Sequence, residues 1–227
     1  RRLRVAILAG CAQSVLRPNI TDATVRLLRR AGCEVIIHPQ VGCCGALSLH
    51  LGEEAAAKKF ARSNIKSWAQ EFDGNGLDAI VANASGCGTM IKDYGYLFRD
   101  DPDYAEDAQR VSELARDISE LVIALGLPPS TEADLPIIAH HSACSLLHGQ
   151  RVTSAPRDLL TKVGFTVHEQ PMVVRCCGSA GTYNLLQPEL ADCMRDERLA
   201  AKDVVEAELI ATDNIGCLSQ LASGTHL

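Results

Sequence analysis

Short β-prone apolar runs alternate with longer amphipathic stretches along the chain. Leu3-Arg4-Val5-Ala6-Ile7-Leu8 reads as a strand that stops at Ala9-Gly10-Cys11, and residues 21–31 then place Val25 and Leu28 on one helical face. Gly32 closes that helix, and Glu34-Val35-Ile36-Ile37 restarts a strand. A helix over 53–72, a turn at Asp73-Gly74-Asn75-Gly76 and a strand Asp78-Ala79-Ile80-Val81-Ala82 follow. The second half repeats the plan: strand 136–139, helix 156–163 closed by Gly164, strand Phe165-Thr166-Val167-His168, helix 188–206 and strand Glu208-Leu209-Ile210-Ala211. Between the halves Val111, Leu114, Ile118, Leu121, Val122 and Leu125 recur with helical spacing, and Pro128-Pro129-Ser130 marks a boundary. Strands alternating with helices predict an α/β fold in two pseudo-symmetric halves, 1–127 (with the amphipathic helix) and 128–227. Each half is a small parallel sheet flanked by helices, its loops at the strand C-terminal edge.

Composition narrows the function classes. With 227 residues, 47% of them hydrophobic, the chain can bury a core. A net charge of −6 without a basic stripe, and only 4% aromatics, argue against a nucleic-acid surface. No apolar run approaches the roughly 18 residues of a membrane-spanning helix, which leaves peripheral docking through a partner subunit. Ten cysteines are too many to pass over. A sizeable core and strict spacing favour metal or redox work by thiolates in a reducing compartment over disulfides. The sequence opens on Arg1-Arg2-Leu3 without an initiator Met and is expected to be a piece of a longer protein.

The cysteines carry the strongest signal. Residues 12–42 separate Cys11 from Cys43, and 145–175 separate Cys144 from Cys176, 31 in each case. Both intervals end in the triplet Cys-Cys-Gly, as Cys43-Cys44-Gly45 and Cys176-Cys177-Gly178, and both triplets are followed at about 40 residues by a Gly-Cys pair, Cys87 and Cys217. All eight follow strand ends, so Cys11, Cys43, Cys44 and Cys87 are expected on one sheet edge and Cys144, Cys176, Cys177 and Cys217 on the other, where open α/β sheets place ligands. Four thiolates suit an iron–sulfur cluster or a tetrahedral zinc. Zinc knuckles normally contain C-x2-4-C, which neither half has, and three separated loops suit a bulkier cofactor.

The pattern of Cys, 31 residues, Cys-Cys-Gly, about 40 residues, Cys, twice over, resembles the cysteine-rich CCG domains across almost the whole chain. Gly10-Cys11-Ala12-Gln13, Ala84-Ser85-Gly86-Cys87-Gly88, Cys176-Cys177-Gly178-Ser179-Ala180-Gly181-Thr182-Tyr183 and Asn214-Ile215-Gly216-Cys217 resemble the iron–sulfur subunits of bacterial glycolate oxidases. The CCG-containing component of heterodisulfide reductase and the lactate-utilisation iron–sulfur proteins belong to the same wider family. The resemblance implies an oxidoreductase subunit, cytoplasmic and at most peripheral on the inner face of the membrane. It implies iron–sulfur clusters, [4Fe–4S] in type, held by the eight patterned cysteines, with zinc as the substitute in air-prepared protein. The implied partners are flavin-containing glycolate oxidase subunits and, through the complex, the quinone pool. This sequence departs from the relatives in two ways. In heterodisulfide reductase each CCG half ends in CxxC, whereas Met90 and Gln220 stand three residues after Cys87 and Cys217. The ferredoxin-like N-terminal region of the full glycolate oxidase subunit has no counterpart in the sequence, so the chain resembles its C-terminal portion.

The remaining candidates are weaker. His140, His141 and His148 flank Cys144, and His141 and His148 are the ones read as neighbours of the ligands rather than ligands themselves. Ser179, Gly181, Thr182 and Tyr183 offer N–H and hydroxyl groups after the second triplet. Cys33 and Cys193 lie outside the repeat and read as ordinary thiols, and Trp68 as core. An electron-transfer subunit is the leading function. The alternatives are a thiol–disulfide redox subunit like heterodisulfide reductase, or a zinc-bound structural module.

Overall fold

In the computed structural model, residues 2–126, 134–168 and 176–225 are described. The chain divides into two compact units, Arg1–Leu125 and Gly126–Leu227. The Pro128-Pro129-Ser130 boundary lies outside the described residues.

The first unit runs β1 (Arg4–Leu8), α1 (Ala12–Leu16), α2 (Pro18–Arg30), β2 (Glu34–Ile36), α3 (Ala46–His50), α4 (Glu54–Asp73) and β3 (Ala79–Ala82). It continues with α5 (Ser85–Lys92), α6 (Tyr94–Leu97), α7 (Ala105–Leu114), β4 (Ala115–Asp117) and α8 (Ile118–Leu125). Its sheet has the order β2-β1-β3-β4 and every pairing is parallel. β1 and β3 are central and buried throughout, which explains their unbroken apolar runs. α4 covers the sheet with Ala57, Ala61, Ile65, Trp68 and Phe72, a helical stripe that is all core. At the strand N-terminal end, the Arg4 guanidinium donates to Glu34, Glu71 and the Gly76 carbonyl, and its backbone N–H to Asp78.

The second unit runs β5 (Ile137–His141), a π-helical turn (Ser145–Gly149), α9 (Ala155–Val163), β6 (Thr166–His168), α10 (Tyr183–Leu186), α11 (Pro188–Leu199), α12 (Lys202–Val205), β7 (Leu209–Thr212) and α13 (Ile215–Ala222). Its three strands lie in the order β6-β5-β7, again all parallel. The registers of the two units correspond. Leu8 pairs with Ala82 at the end of the first sheet, and His141 with Thr212 at the end of the second.

Four elements differ from the sequence expectation. The amphipathic stretch 111–125 is not one helix: Ala115, Arg116 and Asp117 form an edge strand on Ile80, Val81 and Ala82. Asp117 then starts α8, its side chain accepting from the Ser119 N–H at 2.9 Å while Glu120 accepts from the Asp117 N–H at 2.8 Å, a capping box. The stretch 188–206 breaks into α11 and α12. The break lets Arg198 reach Asp203, since on an unbroken helix residues five apart point about 140° away from each other. α2 begins earlier than expected, at Pro18, where proline's missing N–H costs nothing. β5 extends past Ala139 to His141, because His140 and His141 continue the pairing with Ala211 and Thr212 of β7.

Candidate metal centre

In the first unit the cysteines sit where strands give way to helices. Cys11 precedes α1, Cys43 and Cys44 precede Gly45 and α3, and Cys87 lies in the first turn of α5. The Cys11 and Cys43 sulfurs are 3.5 Å apart. Thiol contacts continue from Cys43 to Cys44 and from Cys44 to Cys87, so all four sulfurs form one connected set. The loop is fixed from below by Asn64, whose side-chain oxygen accepts from the Gly42 N–H at 2.9 Å while its amide donates to the Cys43 carbonyl at 2.9 Å. Tyr94 donates its hydroxyl to the Cys44 carbonyl at 2.8 Å.

The second unit repeats the arrangement. Cys144 precedes the π-helical turn, Cys176 and Cys177 precede Gly178, and Cys217 lies in the first turn of α13. Sulfur contacts run from Cys144 to Cys176, to Cys177 and to Cys217. Here a fifth group joins. His141, Cys177 and Cys217 present donor atoms within 4.8 Å of one another.

The thiols compete for protons. In the first site, the contact with Cys44 and then burial push Cys43 far up; burial, with Cys43 behind it, raises Cys11. Cys44 also rises, because Cys87 and burial outweigh the lowering contact with Cys43. In the second site Cys144 is raised by Cys176 and burial, and Cys177 by Cys176 and Cys217. Their partners fall: Cys176 through Cys144 and Cys177, and Cys217 to about 6 through Cys177, with His141 assisting against burial. In the second site the raised and lowered thiols alternate, because four adjacent thiolates repel. A polycationic centre removes that conflict, so the donor set fits a metal cofactor.

The glycine of each triplet has two jobs. Gly45 and Gly178 adopt φ of +91° and +88°, and each donates its N–H to the first cysteine of its triplet, Cys43 or Cys176, at 3.4 Å. A Cβ on Gly45 would lie 2.8 Å from the Ala57 carbonyl oxygen, and one on Gly178 would meet the Ala191 carbonyl. The triplet loop is therefore seated against a helix backbone that cannot yield. Gly45→Ala is expected to destabilise the first unit by about 2–3 kcal/mol, from left-handed strain plus overpacking. Gly32→Ala, with φ +85° and nothing within 4 Å, should lose only the strain. Urea unfolding of both variants checks this, and equal losses would remove the close approach from the account.

The other sequence candidates separate clearly. His141 is buried beside the second thiol set, whereas His140, on the opposite face of β5, turns its Nε2 to Asp213 at 3.3 Å. His148 is exposed on the π-helical turn and is not part of the His141, Cys177 and Cys217 trio. Ser179 is buried, and its hydroxyl lies 2.6 Å from where a Cβ on Gly216 would fall. Gly181 takes a φ of +70°, Thr182 precedes α10 and Tyr183 begins it. Cys33 is buried at the start of β2 and Cys193 is exposed on α11. Sequence reasoning missed Asn64, Tyr94, Arg198 and Asp203. Asn64 carried a signal, a polar residue on the buried stripe of α4.

Comparison with known proteins places this geometry. The chain is 40% identical over 220 residues to the glycolate oxidase iron-sulfur subunit of Escherichia coli (strain K12), covering 97% of this chain and 54% of that protein. It is 34% identical to the probable glycolate oxidase iron-sulfur subunit of Bacillus subtilis (strain 168), covering 97% of this chain and 50% of the relative. The chain therefore spans about half the length of these relatives. It is 30% identical to lactate utilization protein A of Bacillus thuringiensis (strain Al Hakam), covering 95% of this chain and 89% of the relative. The cysteine-rich CCG domain matches twice, at residues 5–92 and 138–222, and each match encloses one of the two thiol sets. The chain belongs to the CCG cysteine-rich domain family.

Proposed function

We propose that the chain is the cluster-carrying part of an electron-transfer subunit in an oxidoreductase complex of the glycolate oxidase type. The observation that carries this reading is the doubled site, four cysteines gathered from three strand ends in each unit with their sulfurs in contact. Cys11, Cys43, Cys44 and Cys87 would hold one iron–sulfur cluster, and Cys144, Cys176, Cys177 and Cys217 the other, each read as [4Fe–4S]. Such a group, when bound, takes up and releases an electron. The chain's own residues prepare its surroundings. Gly45 and Gly178 donate N–H groups to sulfur. The first turns of α5 and α13 bring positive helix ends to Cys87 and Cys217. Burial of Cys44 and Cys177 keeps water from one side of each set.

In this reading a separate flavin subunit oxidises a small 2-hydroxy acid, glycolate or lactate, and electrons pass through this subunit toward quinone. The names of the similar proteins support the iron–sulfur role and the choice between glycolate and lactate as the substrate. No helix among the described residues is long and apolar enough to cross a membrane, which fits peripheral attachment through partner subunits. A disulfide-reducing site of the heterodisulfide reductase kind needs a further thiolate after Cys87 and Cys217. Met90 there is core, and Gln220 is buried with its amide on the Ala191 carbonyl.

The test is iron, sulfide and zinc analysis of anaerobically prepared protein, with absorption spectra before and after dithionite. About eight iron and eight sulfide per chain, with bleaching on reduction, is the expected result. Zinc without sulfide would sink the electron-transfer reading.

A further inference from the structure

Apart from the thiols, the most constrained polar group at the second site is His141. It is 2% exposed. Its Nδ1 accepts from Arg198 Nε–H at 3.2 Å, and its Nε2 is buried without a hydrogen-bond partner beside the Cys177 and Cys217 sulfurs. Such a nitrogen either coordinates metal through its lone pair or donates a hydrogen bond to sulfur, and the other ring nitrogen decides which. An imidazole that binds metal through Nε2 carries its proton on Nδ1 and gives it to a carboxylate, carbonyl or water. Here Nδ1 faces a guanidinium, which can only donate and stays charged. Nδ1 must therefore offer its lone pair, and the ring proton sits on Nε2, aimed at the sulfurs. Arg198 is itself held, its two terminal nitrogens forking onto Asp203 at 3.0 and 2.7 Å.

Resting on the cluster reading above, we propose that His141 is a positioning residue that donates Nε2–H to the Cys177 and Cys217 sulfurs, its tautomer fixed by Arg198 and Asp203, and that it raises the reduction potential of the second site. The corresponding position of the first site holds no such donor. The residue of the first unit that corresponds to His141 is Leu8, likewise at the paired end of its strand and three residues before its cysteine, and it is 1% exposed. Counting from Ala57 and Ala191, which face the triplet glycines, the helix position of Arg198 is occupied in the first unit by Asn64, whose bonds go to the triplet loop. The same helix position thus anchors a loop through Asn64 in one unit and orients the His141 ring through Arg198 in the other. A hydrogen bond to sulfur stabilises the more negative, reduced form of a cluster and raises its potential, and a leucine offers none.

The test uses the full chain reconstituted anaerobically, with potentiometric titration of wild type, His141→Leu and His141→Gln followed by electron paramagnetic resonance. His141→Leu copies the first unit, and His141→Gln retains an amide N–H. In His141→Leu both clusters should remain, and the potential of the cluster that is missing from Cys177→Ser protein should fall. The expected size is roughly a tenfold change in its reduction equilibrium, about 59 mV for a one-electron couple. His141→Gln should recover part of the shift. Unchanged potentials at full iron content in His141→Leu overturn the donor role. Loss of second-site iron in both variants, or a directly bonded nitrogen coupling in wild type, makes His141 a ligand and overturns it as well. A wild-type chain that takes up neither iron nor sulfide overturns the cluster reading itself, and the donor role with it.

Discussion

Cys177→Ser protein prepared without oxygen is expected to carry half the iron of the parent chain, about four atoms in place of about eight. Cys177 is 2% exposed and touches the sulfurs of both Cys176 and Cys217, so it joins the two ends of its set. Serine keeps the volume but replaces a soft thiolate by a hard hydroxyl that hardly ionises, a poor ligand for iron in a sulfide cage. Cys44→Ser, at a site 3% exposed in the first unit, should lose the other half and leave the second site intact. Cys33→Ser, outside both sets, should keep all the iron. Iron and sulfide analysis of the three variants settles the ligand assignment, which fails if both Cys177→Ser and Cys44→Ser retain the full complement.

Arg198→Met should have the largest effect on the fold, lowering the stability of the cofactor-free second unit by about 3–5 kcal/mol. The Arg198 and Asp203 side chains are 5% and 6% exposed. Removing the guanidinium strands a buried carboxylate that water cannot reach. The fork also spans the joint between α11 and α12, so its loss loosens the turn that feeds β7. The double variant Arg198→Met, Asp203→Leu should recover most of the loss, because an apolar pair removes the stranded charge together with its partner. Urea unfolding monitored by circular dichroism reads both. A loss below about 1 kcal/mol for Arg198→Met would mean that the pair behaves as a surface ion pair.

Much of the fold was legible because the signals were local and repeated. The apolar runs of β1 and β3 are central parallel strands, and Gly32 and Gly164 do close their helices with positive φ. The equal 31-residue intervals brought the thiols to corresponding edges because a strand, helix and strand of fixed length return the chain to the same side of the sheet. The failures were places where tertiary pairing overrode periodicity. Ala115-Arg116-Asp117 continues a helical pattern in sequence, yet the free edge of β3 offered hydrogen bonds, and Asp117 and Glu120 could cap a new start. The break at Ala200 carries no glycine or proline, and depends on a charge pair invisible to propensity. The gathering of the cysteines was legible from spacing, whereas Asn64 and Tyr94 act from helices distant in sequence from the triplet loop they hold, and Arg198 from a helix distant from the strand that carries His141.

The Arg4 network at the opposite end of the first sheet bears on how such a unit can change over time. Arg4 bonds to Glu34, Glu71 and Gly76, holding β1, β2 and the end of α4 together at the pole away from the thiols. In the first unit stability is thus anchored at one end of short strands while the thiols sit at the other. Such a unit is free to exchange residues at the thiol end without unsettling that anchor, whereas in the second unit Ile137 stands where Arg4 does and the buried Arg198–Asp203 pair holds the fold instead. Two copies of one ancestral plan can therefore drift toward unequal duties while each remains recognisably the same sheet.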